Sequence, residues 1–169
     1  VGWIDHRDSR PSTSGWRVLR AQCTSPRQRS SSESPFWLGS GRDVIISGAG
    51  ITVDLPTGWE GSIRPPATLH DGAQRHSVTH LANFPLPAVR GEYGSGAVDI
   101  MSNGDALIVL LEFGQESAGT ALFGNARPPF LRASDFSRDM LQQREEGHGG
   151  CQRFFTEAGR PFCLYVVVG

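Results

Sequence analysis

The chain has 169 residues, with 16 basic and 17 acidic side chains, a net charge of −1 and a hydrophobic fraction of 38%. These values are typical of one soluble globular domain, and they exclude the collagen-like, membrane-spanning and disulfide-rich miniprotein classes. Glycine (21 residues) and proline (11 residues) are more frequent than in average proteins, which predicts many turns.

The chain contains no lysine, because all 16 basic residues are arginines. Chemistry that depends on a lysine ammonium group is therefore excluded. This removes Schiff-base and pyridoxal phosphate catalysis and phosphate binding by a P-loop lysine.

The composition changes near residue 43. Residues 1–43 are rich in serine and arginine, and they show no apolar period of 2 or 3.6. Such a segment offers too little apolar surface to offset its ordering entropy, so we predict a disordered or loosely docked tail. Residues 44–169 are predicted to form a single globular α+β domain.

Several segments in the first half of this domain have the pattern of strands. Val44–Ile46 is β-branched, and Ile51–Leu55 alternates apolar and polar residues until a proline ends it. Trp59 and Ile63 are expected to continue this strand pattern on the far side of the Pro56-Thr57-Gly58 turn. Val78–Phe84 is the third strand candidate.

The dipeptide Asn103-Gly104 separates the apolar runs Ala97–Met101 and Ala106–Phe113. Asn-Gly between two such runs is typical of a tight hairpin turn, so we predict that the two runs pair as antiparallel strands. Leu107–Leu111 is apolar at every position, which favours a central strand buried on both faces.

One helix is predicted in the second half of the domain. Ser134 is a suitable N-cap, and Phe136, Met140 and Leu141 fall on one side of a helix that continues to Arg144. The sequence thus predicts an α+β fold, with a mainly antiparallel twisted sheet and one or two flanking helices.

Two apolar runs near the C-terminus predict a β-hairpin. They are Cys151–Thr156 and Phe162–Val168, joined by a turn at Ala158-Gly159. A two-residue loop places Cys163 opposite Phe154, on the face away from Cys151, where a disulfide does not fit. We therefore expect reduced thiols.

The run Phe162–Val168 is apolar on both faces, so each face needs cover. Either the domain covers both faces itself, or a protein partner or a second copy covers one of them. The second alternative makes the C-terminal strand near Val166 a candidate edge for self-association.

One pair of residues has the types needed for nucleophilic catalysis. Cys151 lies three positions after His148, and a neighbouring base can activate a cysteine as a thiolate. His80 is an alternative base, whereas burial of Cys151 in the core is the competing interpretation.

His76 and His80 have the spacing of two metal ligands on a helix. On a strand the two residues are about 13 Å apart, so we predict no metal and no cofactor.

Ile51-Thr52-Val53-Asp54-Leu55-Pro56-Thr57-Gly58-Trp59 resembles the opening strand of the PsbP-like superfamily, in which an apolar strand runs into Pro-x-Gly-Trp. The segment from Gln152 to Tyr165 is similar to uncharacterised proteins of GC-rich actinobacteria. The superfamily resemblance implies an antiparallel sheet flanked by helices and a non-enzymatic interaction role.

The sequence shows no set of catalytic residue types that converge on one site. This favours a non-catalytic protein-interaction module that uses the loop Asn83–Gly96 or the C-terminal strand near Val166. The binding candidates are Trp59, Asn83, Phe84 and Tyr93. Two alternatives stay open. One is a small thiol-dependent enzyme that uses Cys151, and the other is a binder of an apolar small molecule in a cavity under Trp59, Phe84 and Phe113.

The sequence also predicts a location. It contains no recognisable secretory signal or membrane segment, and its three cysteines cannot all pair, so we expect a cytoplasmic protein. The net negative charge of residues 44–169 argues against specific nucleic-acid binding.

Overall fold

The structure is a computed structural model, which describes residues 44–70, 72–126, 130–142 and 146–169. The predicted tail, residues 1–43, lies outside the described residues. The strands are β1 (Val44–Gly48), β2 (Ile51–Leu55), β3 (Glu60–Arg64), β4 (Ala67–Thr68), β5 (Gln74–Arg75), β6 (Val78–Ala82), β7 (Ala106–Glu112), β8 (Gly149–Glu157) and β9 (Arg160–Val168). Short 3₁₀ helices span Val98–Ile100, Gln115–Ser117, Ala121–Phe123, Ala133–Asp135 and Arg138–Met140.

Five strands form the main sheet, in the order β3-β6-β7-β9-β8, and every neighbouring pair is antiparallel. The pairs β1–β2 and β4–β5 form two small antiparallel sheets. The predicted, mainly antiparallel sheet is therefore confirmed. The three central strands are covered on both faces, and β7 and β9 have the nearly continuous apolar sequences expected there, whereas β6 also contains the buried polar residues Thr79 and His80.

The two faces of the main sheet are covered by different parts of the chain. One face, here called the loop face, carries Leu107 and Val109 and packs against Phe84 and Met101 from residues 83–101. The other, here called the hairpin face, carries Leu81, Phe155 and Phe162 and packs against the buried side chains of the β1–β2 hairpin. The domain thus covers both faces of its central strands itself.

The predicted C-terminal hairpin is confirmed in its register. Phe154 lies opposite Cys163 in the β8–β9 pair. Ala158 and Gly159 both have positive φ (51° and 77°), which is the geometry of the two-residue turn whose twist matches that of the flanking strands.

The hypothesis of a free edge at the C-terminal strand is wrong. β9, which contains Val166, pairs with β8 along its whole length on one side and with β7 from Phe162 to Val168 on the other. Its backbone groups are therefore already used within the sheet.

The predicted pairing of Ala97–Met101 with Ala106–Phe113 is also wrong. Ala97 packs in the core, and a 3₁₀ helix follows it, with the Asp99 carboxylate accepting the Gly96 N–H. The neighbours of β7 are β6 and β9 instead. The turn at Asn103-Gly104 does form, but it leads from this loop into the sheet rather than joining two paired strands.

The flanking helix expected from Ser134 to Arg144 is not formed, and its last two residues lie outside the described part of the chain. Phe136 and Ser137 are extended, with ψ of 130° and 156°. Ser137 exchanges backbone hydrogen bonds with Gly150 of β8, which interrupts the helical path. Within the described residues, the helices are all single 3₁₀ turns.

An ion pair joins the main sheet to the β1–β2 hairpin. Arg160 Nε donates to Glu112 Oε1 at 2.7 Å, and Arg160 Nη2 donates to Glu112 Oε2 and to the Ala49 carbonyl in the hairpin turn. The Ser77 hydroxyl also donates to Glu112. Burial raises the pKa of Glu112, but the hydrogen bonds from Arg160 and Ser77 outweigh it and hold this pKa below its usual value.

We expect Glu112→Gln to lower the free energy of unfolding by about 2 kcal/mol near neutral pH, because the substitution leaves Arg160 without its carboxylate. The depressed pKa means that the carboxylate stabilises the fold above its unfolded pKa of about 4.3 and loses this effect as the pH falls below it. Urea unfolding should therefore show a gap between variant and wild type that narrows in acid. Glu116→Gln, at an exposed position, is the control, and a gap that does not change with pH would contradict this account.

Candidate functional site

The hydrogen-bond pattern of β6 determines which backbone groups of β3 are free. The Glu112 N–H donates to the carbonyl of Ser77, just before β6. Because partners alternate along an antiparallel strand, the odd-numbered residues of β6 bond to β7 and the even-numbered residues bond to β3. His80 lies opposite Ser62. Ser62 and its even-numbered neighbours are therefore the residues of β3 that bond to β6.

Gly61 and Ile63 consequently direct their N–H and C=O groups away from the sheet. These groups have no hydrogen-bond partner among the described residues. β3 is only partly buried from Gly61 to Arg64, and Glu60 is exposed. Within the part of the chain that the structure describes, the strand is thus an open sheet edge, which is a template for pairing with another extended chain.

The opposite outer strand, β8, is largely covered. Gly150 bonds to Ser137 through both its N–H and its C=O. Farther along, Asn125 accepts the Thr156 N–H with its carbonyl and donates its side-chain amide to the Phe154 carbonyl. Of the two outer strands, β3 therefore has the edge that the described chain leaves open.

Opposite charges mark the two ends of β3. Glu60, at its start, accepts the Leu86 N–H through Oε2. Arg64, at its end, donates from Nη2 to Glu92 Oε1 at 2.9 Å, while its buried Nε has no acceptor among the described residues. Burial, and then repulsion from Arg64, lowers the pKa of the neighbouring Arg90. The edge is therefore flanked by side chains able to recognise a charged partner.

A buried histidine on β6 holds the loop of residues 83–101 against the sheet. His80 is 2% exposed, and its Nε2 lies 3.1 Å from the carbonyl oxygens of both Gly91 and Glu92, so this nitrogen carries the proton and donates. Burial, followed by repulsion from Arg90, lowers its pKa to about 4. His80 is thus a neutral tether near neutral pH.

A cleft of about 300 Å³ lies next to β5, between the loop and the last residues of β7. Tyr93 and Phe113 form part of its apolar wall, and Arg75, Glu92 and Glu112 add charges of both signs. The volume is at the lower limit for small-molecule sites. Its charged lining is a poor match for the apolar ligand that the sequence left open.

The remaining binding candidates have structural roles. Phe84 packs in the core of the loop face, and Trp59 packs with the hairpin face, so they do not share a cavity. Asn83 accepts the Ala106 N–H and donates to the Gly104 carbonyl, which fixes the turn before β7. Of the four candidates, Tyr93 is the one that reaches the cleft.

The two described cysteines are unpaired and lie on different faces of the sheet. Cys163 is on the loop face, where its sulfur accepts a hydrogen bond from Gln152 Nε2 at 3.2 Å, and burial raises its pKa to about 11. Burial also raises the pKa of Cys151, while Arg153 opposes it. Both thiols are therefore protonated near neutral pH. Cys23 lies outside the described residues.

The structure does not favour a base next to Cys151. His80 is on β6, which β7 and β9 separate from β8, and its side chain belongs to the loop face. His148 Nδ1 lies 3.0 Å from the Glu146 carbonyl, and its ring is adjacent to Gly169, whereas Cys151 lies opposite Val166. Residues three positions apart on an extended chain also point to opposite faces.

Comparisons with known proteins add no identity: no family model matches the chain, and no solved structure matches it. The resemblance of Ile51–Trp59 to the PsbP-like superfamily stays a prediction.

Within the described residues, no helix is long and apolar enough to cross a membrane. No group of three or more His, Cys, Asp or Glu in the same part of the chain could hold a metal ion.

Sequence reasoning missed the open edge of β3. The signal was present, because Glu60–Arg64 is a short run that mixes charges with a glycine and is followed by Pro65-Pro66. Short, charged strands next to proline are typical of sheet edges.

The state of His80 predicts a dependence of stability on pH. Because its pKa is lower in the folded chain than in the unfolded chain, the folded state becomes less stable as the pH falls below about 6.5, by about 2 kcal/mol at pH 5. His80→Gln keeps a donor for the loop carbonyls but does not titrate, so urea unfolding should show a smaller loss between neutral pH and pH 5. A proton NMR titration in which the His80 ring protonates near pH 6.5 would disprove this.

The buried thiols predict slow alkylation. In a Cys23→Ser variant treated with iodoacetamide near neutral pH, Cys151 and Cys163 should stay unmodified in the folded protein and react fully in concentrated urea. Mass spectrometry of the peptides reports each site separately. Rapid modification of Cys151 in the folded protein would contradict this prediction and support the alternative of a thiol-dependent enzyme.

Proposed function

We propose that the protein is a non-catalytic interaction module that binds an extended segment by adding it as a strand to β3. The observation that carries this proposal is the row of unpaired N–H and C=O groups at Gly61 and Ile63, which have no partner among the described residues. Main-chain hydrogen bonds supply affinity in this mode of recognition, and neighbouring side chains supply specificity.

The chemistry of the described residues supports a binding role over thiol catalysis. Cys151 and Cys163 have raised pKa values, so neither has the thiolate character of a nucleophile near neutral pH. His80 uses its N–H to hold the loop through Gly91 and Glu92. The side chains best placed to meet a partner are instead those of Glu60 and Arg64, beside the open edge.

We also propose a cytoplasmic location and membership of the PsbP-like superfamily. The location is supported by two unpaired cysteines on different faces of the sheet, which suit a reducing compartment. The superfamily is supported by the Ile51–Trp59 segment, and the interaction role that this resemblance implies agrees with the role proposed for β3.

Amide exchange and peptide selection test this function. In dilute protein, the Gly61 and Ile63 amides should exchange rapidly, while those of Ser62 and Arg64 should be protected by their bonds to β6. A phage-displayed library of random seven-residue peptides should then yield binders that slow exchange at Gly61 and Ile63.

Ser62→Lys should abolish binding of the selected peptides, because a lysine on an edge strand opposes the approach of another strand. Ser102→Lys, at an exposed loop position, is the matched control and should bind normally. The function is refuted if the Gly61 and Ile63 amides are protected in protein that sedimentation shows to be monomeric, or if the selected peptides bind Ser62→Lys as well as wild type.

A further inference from the structure

We infer that the partner of β3 is a second copy of the same chain, paired antiparallel about a two-fold axis through Ser62. This inference rests on the function proposed for the open edge and names its partner. The result is a continuous ten-stranded sheet formed by two five-stranded sheets. Such an interface uses the same surface on both copies.

The register follows from the free backbone groups. Gly61 and Ile63 are the residues of β3 whose N–H and C=O groups point outward, and they are two positions apart. In an antiparallel pair, Gly61 of one copy therefore lies opposite Ile63 of the other, and each such pair exchanges two hydrogen bonds. Ser62 then faces Ser62 of the second copy, and a small side chain at this position allows close approach.

The charges on β3 are complementary in this register. Glu60 of one copy lies directly opposite Arg64 of the other, and the same pair occurs again on the other side of the axis. These are non-hydrogen-bonded positions, at which opposing side chains approach most closely. Glu60 accepts the Leu86 N–H through Oε2 and Arg64 donates from Nη2 to Glu92 Oε1, and these two contacts hold both side chains beside the edge.

The β1–β2 hairpin adds apolar surface near the same joint. Ile46 and Gly48 of β1 lie against Gly61 and Ile63, so β1 runs close to the β3 edge. The two-fold axis keeps both hairpins on one face and brings the two β1 strands toward each other.

Sedimentation equilibrium of the full 169-residue chain tests the pairing through its charges. Wild type should form a dimer. Glu60→Arg and Arg64→Glu each place like charges opposite one another twice, so each should raise the dimer dissociation constant by at least about tenfold. Thermal unfolding checks that both variants are folded.

An equimolar mixture of the two variants restores opposite charges at both pairs and should form a heterodimer. The double variant Glu60→Arg/Arg64→Glu should dimerise with itself. A monomeric wild type, single variants that dimerise normally, or a mixture that stays monomeric would each overturn the second copy as partner. If wild type stays monomeric but selected peptides still protect Gly61 and Ile63, the interaction module stands and its partner is another protein.

Discussion

The fold depends on the need to cover both faces of two adjacent strands, β7 and β9. Their sequences are almost entirely apolar, and together with β6 they form the centre of the sheet. Neither face of these strands can therefore be left exposed to water. The β1–β2 hairpin covers one face and the loop of residues 83–101 covers the other. The more polar strands β3 and β8 take the outer positions.

The sequence contained enough information for local pairing but not for the choice of distant partners. The turn at Ala158-Gly159 determines the register of β8 and β9, because both strands are adjacent to it in sequence. Asn103-Gly104 gave an equally strong local signal, yet β7 pairs with strands distant in sequence. β6 and β9 occupy the two sides of β7, and Ala97 and Met101 pack in the core of the loop face instead of pairing with it.

The candidate site could be predicted only in part, for a similar reason. Aromatic residues such as Phe84 and Tyr93 serve equally well in a core and in a binding surface, so residue type alone does not separate the two roles. Phe84 is core, whereas Tyr93 reaches a cleft. The open edge is a property of strand order, since Gly61 and Ile63 become available only because no described strand lies beyond β3.

The two edges of the sheet differ in a way that matters for function. Loops cover β8 and use its outward groups at Gly150 and Thr156, which protects against unwanted pairing. Edge strands left open are usually protected by charged side chains, prolines or bulges that oppose pairing with a second copy. β3 instead has Glu60 at one end and Arg64 at the other, so an antiparallel second copy meets attraction at both ends, whereas a parallel one meets repulsion. Charge and backbone pattern thus select the same register and the same orientation.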